Sequence, residues 1–181
     1  MTTPTANLLV SVVNGVACVK LTGRATFAAS VDFKNLVQSL QAQGVERFIV
    51  ELSGCVLMDS TFLGVLAGIG AKLPGQKAEA THCSFELLNP TERVFDLLDN
   101  LGVTEYFRIV RGPDPQHLEF RAVESTPCSK LEMSQNCLEA HETLMNVNPE
   151  NISKFKDVTE FFTKDILREK AKGSVGSSTS T

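Results

Sequence analysis

The stretch Met58-Asp59-Ser60-Thr61-Phe62-Leu63-Gly64-Val65-Leu66 decides how the rest of the chain is interpreted. An apolar, strand-like run ends just before it, and a helix-like apolar run begins just after Asp59-Ser60. The Ser60 hydroxyl is therefore expected at a helix N-terminus, where unpaired N–H groups and the helix dipole favour negative charge. That position suits a phosphate group. Asp, Ser and Thr are also ordinary N-cap residues, and local chemistry alone favours the capping role.

Length and composition indicate a globular protein with one domain, or one domain and an appendage. The chain has 181 residues, of which 43% are hydrophobic and 21% are charged. A net charge of −4 gives no electrostatic basis for nucleic-acid binding. No apolar run reaches the length of a bilayer span, and residues 1–5 lack the charged and apolar parts of a secretory signal. We therefore expect neither a nucleic-acid nor a membrane partner.

The cysteines predict no disulfide framework and no metal site. There are five of them, scattered and without a CxxC pair: Cys18, Cys55, Cys83, Cys128 and Cys137. The first three lie in or beside apolar strand-like runs and are expected to be small core residues. A reducing cytoplasm is the expected location, and no cofactor is expected.

Strand-like and helix-like runs alternate before the opening motif. Two β-branched runs, 8–13 and 16–21, flank Asn14-Gly15 and predict a β-hairpin. A helical stripe over residues 30–43 follows, with Ser30 expected as its N-cap and Gly44 at its C-terminal end. A further strand is expected over residues 47–52.

The same alternation continues after the motif. Residues 60–73 have the spacing of a helix, although Gly64, Gly68 and Gly70 each cost about 1 kcal/mol against Ala in a helix interior. We expect these glycines to let a neighbouring element approach closely, and Pro74-Gly75 to end the helix. The remaining predictions are a strand over 85–88, a helix capped by Asn89 with Pro90 first, and a strand over 106–110. The order β-β-α-β-α-β-α-β predicts an α/β fold: a mixed β-sheet with helices packed on it.

A helical region is expected beyond this unit, with residues 112–125 as a linker. Thr126 is expected to cap one helix and Asn148 the next, each with a proline at its first position. Residues 126–172 then form an αα-hairpin, and residues 173–181 are expected to be a disordered tail. The first helix carries a stripe spaced by seven, at Leu131, Leu138 and Met145. The second carries a phenylalanine-rich stripe.

The element order together with Asp59-Ser60-Thr61-Phe62-Leu63-Gly64 resembles the STAS family, the sulfate transporter and anti-sigma factor antagonist domains. The later Leu87-Leu88-Asn89-Pro90 and Leu101-Gly102-Val103 resemble the ending of that fold. The resemblance covers roughly residues 7–111, so we place the STAS-like domain at residues 1–111. The helical hairpin lies outside the basic fold.

Resemblance to the single-domain bacterial members implies a non-enzymatic signalling protein that regulates transcription and is switched by serine phosphorylation. The implied partners are an anti-sigma factor that is also a serine kinase, and a protein phosphatase. By position, Ser60 would be the phosphorylated residue, with Thr61 as a secondary acceptor. The implied partner-binding residues are Asp59, Arg24, Phe62 and Ser53, where Phe62 replaces the glycine of the family motif.

Catalytic motifs are missing from the sequence around Ser60. There is no G-x-S-x-G elbow, no G-x-G-x-x-G and no P-loop. The three histidines, His82, His117 and His141, fall on different elements, and each is expected at the surface or at a helix cap. We therefore predict that the protein is not an enzyme.

Two alternatives to the phosphorylation switch stay open. The chain could be a STAS-type scaffold that docks another signalling protein without phosphorylation. It could also be an assembly protein whose hairpin drives homodimers or larger oligomers, with Ser60 only a cap. The apolar faces of the hairpin either pack on each other and on the sheet domain, which we favour slightly, or form a partner interface.

Overall fold

A mixed seven-stranded sheet forms the centre of the protein. The computed structural model describes residues 6–73 and 84–175. The strand order is β6-β5-β3-β2-β1-β7, and β4 pairs with the far end of β2. The strands are β1 (Asn7–Val13), β2 (Val16–Ala25), β3 (Arg47–Glu51), β4 (Cys55–Met58), β5 (Phe85–Leu88), β6 (Arg108–Val110) and β7 (Arg121–Ala122).

The predicted β-hairpin is present, and its turn explains the Asn-Gly pair. Asn14 and Gly15 have φ angles of 50° and 76°, the left-handed pair that a tight hairpin turn requires. β1 and β2 run antiparallel from there, whereas β2 and β3 run parallel. β2 continues to Ala25, four residues beyond the predicted end, because its last residues pair with β4.

Helices pack on the sheet and supply much of the core. They are α1 (Phe27–Ala42), α2 (Ser60–Lys72), α3 (Glu92–Asn100), α4 (Lys130–Val147) and α5 (Ile152–Val175). Four phenylalanines lie fully buried in this core: Phe33 and Phe62 on helices, Phe48 and Phe85 on strands. The prediction of an α/β fold with a mixed sheet and additional C-terminal helices is confirmed.

Two helix starts differ from the sequence prediction. α1 begins at Phe27 with Thr26 at the N-cap position, so Ser30 is an interior residue whose hydroxyl donates to the Phe27 carbonyl at 2.6 Å. α3 begins at Glu92, where the Thr91 hydroxyl accepts the N–H of Val94. Asn89 has a φ of 53° and bonds instead to both backbone groups of Gly112. Neither side chain caps its expected helix. Ser30 also accepts a hydrogen bond from Nδ2 of Asn136 on α4, and Asn89 is bonded to Gly112, so both have tertiary partners.

The segment expected to be a linker is tied to the sheet. Its residues 121–122 form β7, which pairs with β1, and Asp114 forms an ion pair with Lys20 at 2.8 Å. The following helix, α4, starts at Lys130 rather than after Thr126, because Ser129 and Glu132 form a reciprocal capping box. Thr126 instead donates its N–H to the Asp32 carboxylate of α1 at 3.0 Å.

The C-terminal hairpin, residues 129–175 with α4 and α5, packs within the chain. α4 lies on α2 and contacts α5 along its other side. Asn148 accepts the N–H of Glu150 at the start of a short 3₁₀ turn that leads into α5. Formation of homodimers through this hairpin stays a prediction.

Parts of the predictions lie outside the described residues. These are the Pro74-Gly75 helix stop, His82, Cys83, and residues 176–181 of the expected disordered tail. α5 extends to Val175 and so includes residues 173–175 of that tail. Within the described ranges, no helix combines the length and hydropathy that a membrane span requires.

Candidate functional site

The junction between β4 and α2 places the Asp59-Ser60 pair. Ala25 and Met58 are paired at the ends of the parallel strands β2 and β4, and the N–H of Asp59 donates to the Ala25 carbonyl at 2.9 Å. The chain then turns directly into α2, with Asp59 as N-cap and Ser60 as the first helical residue. Both strands of this corner therefore fix where the helix starts.

Asp59 uses both carboxylate oxygens on backbone groups. Oδ1 accepts the N–H of Phe62 at 2.8 Å, and Oδ2 accepts the N–H of Phe27 at 2.7 Å. One side chain thus caps the N-termini of α2 and α1 together. The sequence predicted the first cap but not the second. This structural role occupies the oxygens that the resemblance assigned to partner contact.

The Ser60 hydroxyl lies 2.9 Å from Nε2 of His141 on α4. The other ring nitrogen, Nδ1, lies 2.7 Å from the Cys137 carbonyl oxygen. Since a carbonyl oxygen only accepts, Nδ1 carries a proton, and in the neutral ring Nε2 is left as an acceptor. In that state the Ser60 hydroxyl donates to His141, and Ser60 is half-buried beneath α4.

His141 is a buried residue rather than the surface or capping residue that the sequence suggested. It is 4% exposed, and its ring lies 5.0 Å from that of Phe155 and 6.3 Å from that of Phe162, centroid to centroid. It stands on the buried face of α4 with Cys137, Ala140 and Leu144. Their spacing at i, i+3, i+4 and i+7 was the available signal that the position faces inward. The long-range partner, Ser60, had no such signal.

Thr61 lies further inside than a phosphate acceptor requires. It is 6% exposed, and its hydroxyl points to the Cys137 sulfur at 3.9 Å. Burial raises the pKa of the Cys137 thiol. Thr61 therefore serves in the contact between α2 and α4, and the expectation of a secondary phosphorylation site is not supported by its exposure.

Gly64 explains why α4 can come so close to α2. A Cβ atom at this position would lie 2.3 Å from the carbonyl oxygen of Ala140, a distance that no side chain can accommodate. One turn later, a Cβ at Gly68 would meet Thr143 at 3.7 Å, an ordinary van der Waals contact. The expected role of the glycines in close approach is thus present at Gly64.

The other residues assigned to partner contact separate into exposed and buried ones. Arg24 and Ser53 are exposed. Phe62 is fully buried, with its ring 5.4 Å from that of Phe33. A ring without accessible surface cannot touch a partner, so the expectation for Phe62 is wrong: it fills the core between α1 and α2. Glu51 is also fully buried, and its Oε1 accepts the N–H of Ser53 at 3.0 Å.

One cavity lies beside the helices of the site, and another lies on the far face of the sheet. The first, of about 70 Å³, is between α1, α2 and α4, with Lys34, Lys72 and Glu139 at its edge. The second, of about 230 Å³, is on the opposite face of the sheet under the segment 115–118 and is mostly apolar. Within residues 6–73 and 84–175, no group of three His, Cys, Asp or Glu side chains is arranged to hold a metal ion.

Comparison with known proteins matches strands β1 to β6 and the first three helices. The family model of the STAS domain matches residues 7–114. Among solved structures, the anti-sigma factor antagonist SpoIIAA in its unphosphorylated form is similar, with a TM-score of 0.50 and 19% sequence identity. The match covers 61% of this chain and 91% of that one. No curated protein sequence is significantly similar to the chain.

The matched region contains β1 to β6, α1 to α3 and the Asp59-Ser60 corner, and it ends before the C-terminal hairpin. It spans more than half of the chain. Because the family model matches more than half of the chain, the chain belongs to the STAS domain family.

Proposed function

We propose that this chain is a non-enzymatic regulatory binding protein, similar in role to an anti-sigma factor antagonist, whose affinity for its partner is switched by phosphorylation of Ser60. The observation that carries the proposal is the place of Ser60, at the first position of α2 in a STAS domain. The partners would be an anti-sigma factor with serine kinase activity and a protein phosphatase, in a bacterial cytoplasm.

Within the STAS domain, the effect of the phosphate would fall on partner binding rather than on the fold. A phosphoserine carries about −1.5 to −2 charges, and the N-terminal end of a helix stabilises such a charge by about 0.3–1 kcal/mol at an exposed site. Burying the same dianion against a surface that lacks compensating groups costs several kcal/mol. Phosphorylation would therefore weaken a partner complex while the domain stays folded.

Exposed residues around the same corner offer a surface for that partner. Arg24 is exposed on β2 and Ser53 on the turn before β4. Two large apolar side chains are exposed nearby: Phe27 at 48%, on the first residue of α1, and Val56 at 59%, on β4. Since Phe27 bonds to Asp59, a partner that covers this corner would lie beside the start of α2.

The experiment compares the full-length wild type with Ser60→Ala and Ser60→Asp in the native cell. Intact mass measures phosphorylation, and co-purification with the anti-sigma factor measures binding. Ser39→Ala, which changes an exposed serine on α1, is the control. We expect a singly phosphorylated wild type, an unphosphorylated Ser60→Ala that binds constitutively, and a Ser60→Asp that binds weakly.

A second candidate is a STAS scaffold that docks a signalling protein without phosphorylation. The bond between Ser60 and the buried His141 favours it, because a hydroxyl held in this way is less available to a kinase. In that case no phosphorylated form is found, and the wild type, Ser60→Ala and Ser60→Asp recover the same partner. This result would refute the switch.

A further inference from the structure

We propose that the C-terminal hairpin is a lid over the switch residue, so that α4 must leave α2 before a kinase reaches Ser60. The inference rests on the proposed function for the identity of the enzyme that acts on Ser60. The closed position of the lid follows from the contact of α4 with α2, through Ser60–His141, Thr61–Cys137 and Gly64–Ala140.

The path of α4 along α2 places it over the switch. Thr61 meets Cys137, Gly64 meets Ala140 and Gly68 meets Thr143, so the contacts advance in the same direction on both helices. Ser60 lies at the beginning of this row, beneath His141. Since α2 presents a glycine where the helices are closest, the lid lies directly against its backbone, and a kinase loop has no room between them.

The hydroxyl is engaged chemically as well as covered. With Nδ1–H of His141 donated to the Cys137 carbonyl, the proton of Ser60 Oγ is donated to Nε2. In phosphoryl transfer, the bond from Ser60 Oγ to phosphorus forms while the bond from that phosphorus to ADP breaks, and the hydroxyl proton passes to the base of the kinase. The hydroxyl proton is therefore engaged by His141 while the lid is closed.

A phosphorylated Ser60 is incompatible with the closed lid while the His141 ring is neutral. The ester oxygen has lost its proton, so it has nothing to donate to Nε2. Phosphate oxygens would face the lone pair of the same nitrogen at the 2.9 Å contact. The aromatic rings of Phe155 and Phe162 border His141 on its other sides, so the imidazole has little space to withdraw. While the imidazole is neutral, opening, phosphorylation and retention of the open form therefore follow in that order.

The polar contacts at the margin of the lid are ones that hydrogen bonds to water can readily replace. Glu139 of α4 forms ion pairs with Lys34 on α1 and with Lys72 on α2, and Glu139 and Lys72 are largely exposed. Exposed ion pairs contribute little to stability. Asn136 donates to Ser30 at 2.9 Å, while its Oδ1 is buried without a hydrogen-bond partner. The polar groups where α4 meets α1 are thus not fully satisfied.

The reactivity of the Cys137 thiol measures opening without reference to phosphorylation. Cys137 is 3% exposed and its sulfur lies in the α2–α4 contact, whereas Cys128, before α4, is only half-buried and serves as an internal reference. Gly64→Ala places a Cβ against the Ala140 carbonyl. Gly68→Ala, with the same change one turn later, meets no short contact. Iodoacetamide labelling of the full chain, followed by peptide mass, gives the rate at each cysteine.

We expect Gly64→Ala to raise the rate at Cys137 by about tenfold or more, while Gly68→Ala leaves it near the wild-type value. Ser60→Asp and Ser60→Ala should also raise it, since loss of one buried hydrogen bond changes an equilibrium constant by about this factor. Equal rates at Cys137 in Gly64→Ala, Gly68→Ala and the wild type would overturn the lid.

A disulfide that joins α2 to α4 tests whether a closed lid slows phosphorylation of Ser60. This test does not depend on Gly64→Ala being folded. Thr61→Cys places a second sulfur opposite Cys137, where the wild-type oxygen and sulfur are 3.9 Å apart. We expect the oxidised variant to be phosphorylated at least tenfold more slowly than its reduced form, and the wild type to be insensitive to the same oxidation.

The two proposals fail in different ways. If labelling of Cys137 responds as expected but no condition yields phosphorylated Ser60, the lid stands and the switch is wrong. If Ser60 is phosphorylated equally fast in the oxidised Thr61→Cys variant, its reduced form and the wild type, the switch stands and the lid is wrong.

Discussion

Oδ2 of Asp59 lies 2.7 Å from the backbone nitrogen of Phe27, although 32 residues separate the two in the chain. The other oxygen of the same carboxylate accepts the N–H of Phe62. The N-termini of α1 and α2 are therefore held at one point, and their positive dipole ends share one negative charge. The acidic residue of the Asp-Ser motif has a structural reason to be there that is independent of any partner.

Asp59→Asn should destabilise the protein by about 1–2 kcal/mol. The amide keeps one acceptor oxygen, but its NH₂ group then faces one of the two backbone N–H groups, so one of the two caps is lost. Denaturant unfolding of the full chain measures the free energy. Asp157→Asn, an exposed residue of α5, removes the same charge and should change the free energy by less than about 0.5 kcal/mol. Equal effects of the two substitutions would contradict the double cap.

Asn151 should be one of the polar residues that hold the C-terminal hairpin to the STAS domain. It is fully buried, and its Nδ2 donates to the carbonyls of Leu101, after α3, and Leu144, on α4, both at 2.9 Å. Asn151→Ala removes both hydrogen bonds. The Leu101 carbonyl loses this donor, while the Leu144 carbonyl still accepts the N–H of Asn148 at 3.2 Å, and the substitution should cost about 1–3 kcal/mol. Asn146→Ala, an exposed change on α4, is the control. Hydrogen exchange should show reduced amide protection first in α4 and α5. Unchanged protection in these helices would contradict this role of Asn151.

Cys18 should make the protein less stable in alkali. Burial, followed by the charge of Glu51, raises the pKa of this thiol to about 11. Between the lower pKa of an unfolded cysteine, about 8.5, and 11, the folded state holds the proton that the unfolded state has lost. The free energy of unfolding therefore falls as pH rises through that window. Urea unfolding from pH 7 to pH 11 should show a smaller decrease for Cys18→Ala than for the wild type.

At the contact between α4 and α5, we expect a contribution to the free energy of unfolding that decreases as pH falls. Hydrogen bonds from Ser134 and then Lys130 lower the pKa of the Asp165 carboxyl. A carboxyl with a lowered pKa stabilises the fold above its unfolded pKa and loses that contribution as pH falls through the folded value. Asp165→Asn should therefore lower Tm at pH 7 and have a smaller effect near pH 2. If the difference in Tm between Asp165→Asn and the wild type is as large near pH 2 as at pH 7, the expected role of Asp165 is contradicted.

The sequence predicted the elements that depend on local signals. Asn14-Gly15 specified its hairpin because few residues accept two consecutive left-handed conformations. Asp59 was correctly placed at a helix N-terminus because the apolar period changes at that point. Ser30, Asn89 and Thr126 were each assigned to a cap by residue type. Each bonds instead to a group that the fold brings from elsewhere, namely Asn136, Gly112 and Asp32 respectively.

The candidate site was predictable only in part for the same reason. Ser60 is visible in the sequence because its motif is contiguous. His141 lies 81 residues away, and nothing local distinguishes it from a surface histidine except the spacing of the small and apolar residues around it.

Strand β7 shows the same limit in the fold. Its two residues have an ordinary composition, and they form a strand only because β1 offers an open edge.

That edge has a consequence for how the protein behaves at high concentration. The sheet ends in β7, with two residues, on one side and β6, with three, on the other. Long unpaired strands recruit strands from other molecules and promote aggregation, whereas short ones provide few backbone groups for such pairing. The segment after the STAS domain thus covers part of β1, which would otherwise be a seven-residue template at the border of the sheet.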